Sequence, residues 1–221
     1  MYPPPRFEET RPEEIQRLIA AHPLGTLVAH GPAGFDAVHL PFLADLEPTP
    51  HGRLLAHISR TNPLWQAHRA GGEVLVVFHG PEAYVSPNWY PDKATTHREV
   101  PTWNYQAVHC HGTLQLHDDP RFVRGLIARL TRAQEVRAGE AVPWRLGDAP
   151  PEYVSALLPE IVGVEIAVRR VTAFSKLSQN RSARDRGALV EALQVRGAGD
   201  VAAAMVSAPV RARPAKPADG A

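Results

Sequence analysis

The chain has a single cysteine, Cys110, among 221 residues. No internal disulfide can staple it, and a lone thiol suits a reducing compartment. It has no long hydrophobic run: nothing approaches the about 20 apolar residues of a membrane-spanning helix. Its first residues, M-Y-P-P-P-R-F-E-E, place acids and prolines where a secretory signal needs an apolar stretch. The expected location is therefore the cytoplasm, with no membrane partner. Neither G-x-G-x-x-G nor G-x-x-x-x-G-K-[ST] occurs, which removes the usual backbone cradles for a nucleotide phosphate. H-E-x-x-H, C-x-x-C and the G-x-S-x-G elbow are missing too, so no zinc spacing and no nucleophile motif stands out. A repeat of 20 to 50 residues is also lacking. At this length about 70% of the extended surface can be buried, so the chain needs no metal to fold.

Net charge is small and the charged residues are uneven in placement. The net charge is +1, too near neutrality for a strong non-specific DNA binder. Residues 121 to 137 nevertheless carry five arginines against Glu135 alone. Arg169, Arg170, Lys176, Arg181, Arg184 and Arg186 form a second basic tract. Either tract could attract a phosphate-bearing partner, DNA included.

What the chain has in abundance is concentrated between Ser86 and Tyr105. Those twenty residues hold two tryptophans, two tyrosines, two asparagines, Lys93 and three prolines. Rings accompanied by amides and a cation suit a large planar ligand with polar edges; a packed connection between strands is the alternative.

The hydrophobic pattern is mainly that of strands. Leu24–His30 and Phe35–Leu43 flank G-P-A-G and read as a hairpin. Further strands are predicted at Gly52–Ser59, Glu73–His79, His109–His117 and Gly163–Phe174. Helices are predicted over 11–22, from Asn62-Pro63 through Ala70, from Asp119-Pro120 onward, and from Pro150-Pro151 to before Pro159. Ser182–Val195 and Val201–Met205 read as two more. Six strands without regular β-α-β order predict a mostly β, α+β fold: a six-stranded antiparallel barrel with peripheral helices. The expected organisation is a barrel domain over 1–178, a helical extension over 179–208 and a disordered tail over 209–221.

Two segments have the donors to hold a phosphate without a glycine-rich loop. His57-Ile58-Ser59-Arg60-Thr61-Asn62 leaves a strand and enters a helix, and Lys176-Leu177-Ser178-Gln179-Asn180-Arg181 leaves the last strand. A solvated strand exit is the plain alternative for the second. His109 and His111 share one strand face, but no third ligand stands at a recognisable spacing, so no metal is expected. Cys110 between them reads as a small core hydrophobe.

In joint order these segments closely resemble the PaiB-type family of FMN-binding negative transcriptional regulators. That family lies within the flavin-binding split-barrel group that includes pyridoxamine phosphate oxidases. The resemblance is carried by Met1-Tyr2 and Phe7, His39-Leu40-Pro41-Phe42, His57 with Asn62-Pro63 and Trp65, and Gly80-Pro81 with Ala83-Tyr84. It continues through Ser86-Pro87, Trp89-Tyr90, Lys93, Val100 to Tyr105 and Val108-His109, and closes with Lys176 to Arg181. It implies a split barrel, FMN as cofactor and a homodimer with FMN near the subunit interface.

By position, Ala37, Val38, His39 and Leu40 would run along the flavin ring. His57, Ile58, Ser59, Arg60 and Asn62 would approach the ribityl chain and phosphate, with Lys93 as a further phosphate partner. Trp103, Gln179, Asn180 and Arg181 would complete the pocket. The resulting expectation is an FMN-binding regulator or flavin-dependent sensor with DNA and a small-molecule ligand as further partners. A flavin-dependent oxidoreductase and, behind it, a haem-binding protein are the alternatives, and no catalytic residue is assigned.

Overall fold

A computed structural model describes residues 4–32, 34–46 and 52–209. Its strands are β1 (Glu8–Glu9), β2 (Leu24–Gly31), β3 (Gly34–Pro41), β4 (Leu43–Asp45), β5 (Arg53–Ser59), β6 (Gly72–Val85), β7 (Thr102–His117) and β8 (Ile161–Lys176). The helices are α1 (Pro12–Ala21), α2 (Pro63–Ala67), α3 (Lys93–Thr96), α4 (Pro120–Ala138), α5 (Pro151–Leu157), α6 (Ala183–Val195) and α7 (Gly199–Ser207). The strands form one sheet in the order β3-β2-β6-β7-β8-β5-β4, with β1 added to β8. The chain divides into two compact units, the first made of 4–11, 79–107 and 172–209, the second of 12–78 and 108–171.

The second unit is the barrel. β2 and β3 pair from Leu24↔Pro41 to Gly31↔Gly34, and β2 pairs with β6 on its other side. β5 pairs antiparallel with β8 from Arg53↔Ala167 to Ser59↔Ile161. β3 also lies against β5, so the ribbon curls back on itself. Alternation along the strands fills the interior with Leu27, Leu54, Ile58, Val76, Leu114, Val164 and Ile166, all essentially inaccessible. Closure demands small residues where backbones meet: a Cβ on Gly112 would stand 2.5 Å from the Ala167 carbonyl oxygen.

α4 covers this barrel for identifiable reasons. Asp119 caps it by accepting from the Arg121 and Phe122 amides, Pro120 opens its first turn, and Gly139 ends it at φ 72°. Its apolar stripe packs Leu126 and Leu130 on Leu55. Two of its arginines are engaged there: Arg129 meets Asp45 at 3.3 Å, and Arg137 donates to the Ala21 carbonyl at 3.0 Å.

The first unit has its own core. α6 and α7 bring Leu189, Leu193, Val201 and Met205 onto Val85, Tyr90 and Leu177. β1 pairs with β8 through Glu8↔Phe174 and Glu9↔Ala173.

The sheet has eight strands where six were expected. The additional two, β1 and β4, span only two and three residues, too few for any period to register. β7 begins seven residues before the expected His109, and the aromatic stretch is not a single loop. It contains a 3₁₀ turn at Pro87–Trp89, the helix α3, and then the start of β7. The early part of β7 hides from a hydrophobicity pattern because its inward residues are polar: Asn104 and Gln106 are buried. Residues 210–221, most of the expected disordered tail, lie outside the described residues.

Candidate functional site

The expected ligand residues fall into two groups, one in each unit. In the second unit, β3 stands at one end of the strand order and pairs only with β2 among the described residues. Ala37 and His39 are exposed on one face of it, while Leu40 turns into the core. The Thr26 hydroxyl holds His39 Nδ1 at 3.0 Å. An edge strand of this kind offers backbone donors and acceptors to whatever lies along it.

On β5, His57 and Ser59 share the face opposite the buried Ile58. His57 Nδ1 is buried without a hydrogen-bond partner among the described residues, and burial pushes the imidazole below its ordinary pKa. The Ser59 and Thr61 hydroxyls stand 2.8 Å apart on the exposed exit of β5. The other polar groups of this segment are engaged within the protein. Arg60 forms a two-pronged contact with Asp118 and stacks 5.4 Å from the Trp65 ring, whose indole N–H donates back to the Arg60 carbonyl. That contact holds the Asp118 carboxyl below its usual range. Asn62 caps α2 through the Leu64 amide at 2.9 Å. α2 is five residues long, so the helix dipole expected beside this segment is small.

In the first unit, Asn180 and Arg181 line a cavity of about 230 Å³ together with Tyr90, Asn104, Lys176 and Ser178. Arg181 is doubly bonded to Glu99, at 3.0 and 2.8 Å, and its guanidinium lies 4.7 Å from the Tyr90 ring. Gln179 is buried, its amide accepting from the Leu177 N–H and donating to the Ser175 carbonyl. It shapes the chain's exit from β8. Trp103 is half exposed and meets Tyr84 edge-on at 6.1 Å. Lys93 opens α3 and is half-buried. Neither lines the cavity.

Sequence reasoning missed Arg6 and Thr102, which line the cavity as well. Arg6 lies 170 positions before Lys176, and no local spacing links them. Cys110 lies within β7, and burial pushes its thiol up to about 12, so it is no nucleophile at neutral pH.

The donor chemistry fits FMN. An open strand edge suits the polar rim of the ring system, and the unpartnered His57 nitrogen with the Ser59 and Thr61 hydroxyls suits a ribityl phosphate.

Comparison with known proteins agrees with this chemistry. Residues 1–170 match the family described as "Putative FMN-binding domain". The chain is 34% identical over 194 residues to the protease synthase and sporulation protein PAI 2 of Bacillus subtilis, covering 88% of this chain and 89% of that protein. It is 31% identical to an uncharacterized protein of Aspergillus fumigatus, over 86% of this chain and 89% of the relative. Among solved structures, a conserved hypothetical protein of Mycobacterium tuberculosis superposes with a TM-score of 0.55 at 13% identity, covering 80% of this chain and 91% of that one. The FAD and haem binding protein of Mycobacterium smegmatis gives 0.52 at 16%, over 76% and 73%. At such identities these two speak for the fold alone, the flavin-binding split barrel. A match over three quarters of the chain and a relative aligned nearly end to end settle membership: the chain belongs to the FMN-binding domain family of split-barrel proteins, of the PaiB type represented by PAI 2.

Proposed function

We propose that the chain works as a homodimeric, cytoplasmic FMN protein whose flavin is the sensing element of a regulator. The observation that carries this reading is the family match across residues 1–170. FMN, when bound, supplies a redox centre whose state a regulator can report. The β3 edge at residues 37–40 would align the ring system. His57, Ser59 and Thr61 would face the ribityl phosphate, and Lys93, Trp103, Asn180 and Arg181 of a second copy would complete the site.

Regulation through a groove-reading helix has little chemical support. α6 and α7 are joined by a short turn containing Gly197 at φ 79°, as in a helix-turn-helix. Yet α7 contains no Arg, Lys, Asn or Gln to read a base edge. The second basic tract is also partly engaged within the protein: Arg181 pairs with Glu99, Arg184 with Asp92 at the surface, and Arg186 is buried.

The test is flavin selectivity. Lys93→Gln should lower FMN affinity about tenfold or more, as expected for one charge-assisted hydrogen bond of about 1.5–3 kcal/mol, and leave riboflavin affinity unchanged. Equal losses for the two flavins would remove Lys93 from the phosphate. Light scattering at rising concentration tests the dimer, and a monomer throughout refutes it.

A second reading, a flavin-dependent oxidoreductase, is favoured by the polar cavity of the first unit, which has room for a small substrate. Steady oxidation of NAD(P)H by the FMN-loaded protein would select it.

A further inference from the structure

The cavity of the first unit has a charge balance that the flavin reading does not use. Arg6, Lys176 and Arg181 line it, and among the described residues no aspartate or glutamate does. Glu99 neutralises Arg181 from outside the lining, which leaves the charges of Arg6 and Lys176 facing the space. Lys176 Nζ donates one hydrogen to the Thr102 hydroxyl at 2.5 Å, and an ammonium has three to give. Burial lowers its pKa, the mark of a cation short of counter-charge. Arg6 Nε is buried and has no hydrogen-bond partner among the described residues, an uncommon state for a guanidinium nitrogen.

The walls are fixed before any ligand arrives. Ser178 sits at φ 58°, a left-handed conformation that costs a non-glycine residue free energy. Its hydroxyl accepts from Asn104 Nδ2 at 3.0 Å and donates to Asn104 Oδ1 at 3.1 Å, and Asn104 is fully buried. The strained turn therefore presents Ser178, Asn180 and Arg181 to the cavity in one arrangement. At 230 Å³ the space equals roughly seven or eight water volumes of about 30 Å³ each. That accommodates a phosphate or a four-carbon dicarboxylate.

We propose that this cavity is the binding site of a small dianionic oxyanion, taken up separately from FMN and held by Arg6 and Lys176. The site goes beyond the flavin reading: Asn180 and Arg181 are common to both, while Arg6 and Lys176 belong to the anion alone. Two cations in excess match a dianion, and the hydroxyls and amides around them supply its remaining hydrogen bonds.

The test is titration calorimetry of inorganic phosphate, and separately of succinate, into the FMN-saturated full-length protein at constant ionic strength. One saturable site for at least one of them is expected. Lys176→Met and Arg6→Gln should each weaken it about tenfold or more, with flavin absorbance unchanged. Arg6 is half-buried near the chain start, so its variant reports even if Lys176→Met folds poorly. No saturable heat beyond a chloride control would overturn the proposal. So would binding that one equivalent of FMN abolishes, because the cavity would then be the cofactor's own phosphate subsite. Anion binding by a chain that takes up no flavin would support this site and overturn the flavin reading instead.

Discussion

Arg186 separates a structural from a DNA-binding reading of the second basic tract. It is 8% exposed, and its guanidinium reaches the carbonyls of Leu177, Met205 and Ala208. The first of these lies at the exit of β8, and the others lie in the last turn of α7 and just beyond it, where helical carbonyls lack intrahelical donors. One side chain in α6 therefore ties together both ends of the helical pair. Burial lowers its pKa, so the fold bears a desolvation cost to keep the charge there. Arg186→Met preserves the stem and the packing but strips the donors. Each orphaned buried acceptor costs about 1–3 kcal/mol, partly offset by no longer burying a cation. A net loss of about 2–3 kcal/mol follows, a large share of the about 5–15 kcal/mol typical of a domain.

In a chain of this size each kcal/mol moves Tm by about 2–4 °C. Arg186→Met should thus melt about 4–12 °C below the wild type by differential scanning calorimetry. Arg186→Lys should recover only part, since an ammonium cannot span three carbonyls as a planar fork does. A Tm within about 1 °C of wild type, together with weaker DNA retention, would refute the reasoning and return Arg186 to the surface.

Gly112→Ala should destabilise by about 1–3 kcal/mol through the 2.5 Å clash with Ala167 O, whereas Gly125→Ala in α4, with open space around it, should be neutral or slightly stabilising; urea unfolding compares them. Burial holds His57 and His111 below 6.5, the latter with help from Arg170. The unfolded chain therefore binds more protons below pH 6.5, and stability should fall as pH drops through that range; His57→Gln should flatten the fall in urea midpoints measured from pH 7.5 to 5.5. Because α7 carries no base-reading side chain, any retention of DNA should be equal for unrelated duplexes and fall steeply with salt in gel shifts. Arg124→Glu with Arg132→Glu on α4 should weaken it further without changing flavin content.

The barrel was legible because its interior is conventional. Strict alternation, as in Val164, Ile166 and Val168 of β8, and turn chemistry such as Gly31 to Gly34 are local signals, and the strands appeared where those signals stood. α4 announced itself through Asp119-Pro120 and its apolar stripe. The phosphate-type donors at 57–62 were legible as residue types but not as available groups. Only in the fold is Arg60 engaged by Asp118 and Asn62 by its own helix. The cavity was illegible for a different reason: Arg6, Asn104 and Lys176 come from segments far apart in sequence, and no spacing rule covers such distances.

The distribution of buried polarity says why that second site belongs to function rather than to folding. Among the described residues, Glu9, Asn104, Gln106, Ser175, Ser178, Gln179 and Arg186 are polar and buried, and all lie in the first unit; His68 alone represents the second. Burying such groups is costly unless each finds partners, and an apolar core of the same size would hold the sheet together with less constraint. The second unit shows that this chain can build such a core. In the first unit, Asn104 is satisfied by Ser178, Gln106 donates to Ser175 at 2.8 Å, and Gln179 closes the turn between them. The network fixes the strained Ser178 backbone and, with it, the directions of Asn180 and Arg181. A fold stabilised only by apolar packing would leave that turn free to relax to ordinary dihedrals. The polar interior is therefore best understood as the support of a preorganised ligand site, and replacing Asn104 with leucine should loosen anion binding even where the stability of the barrel is unchanged.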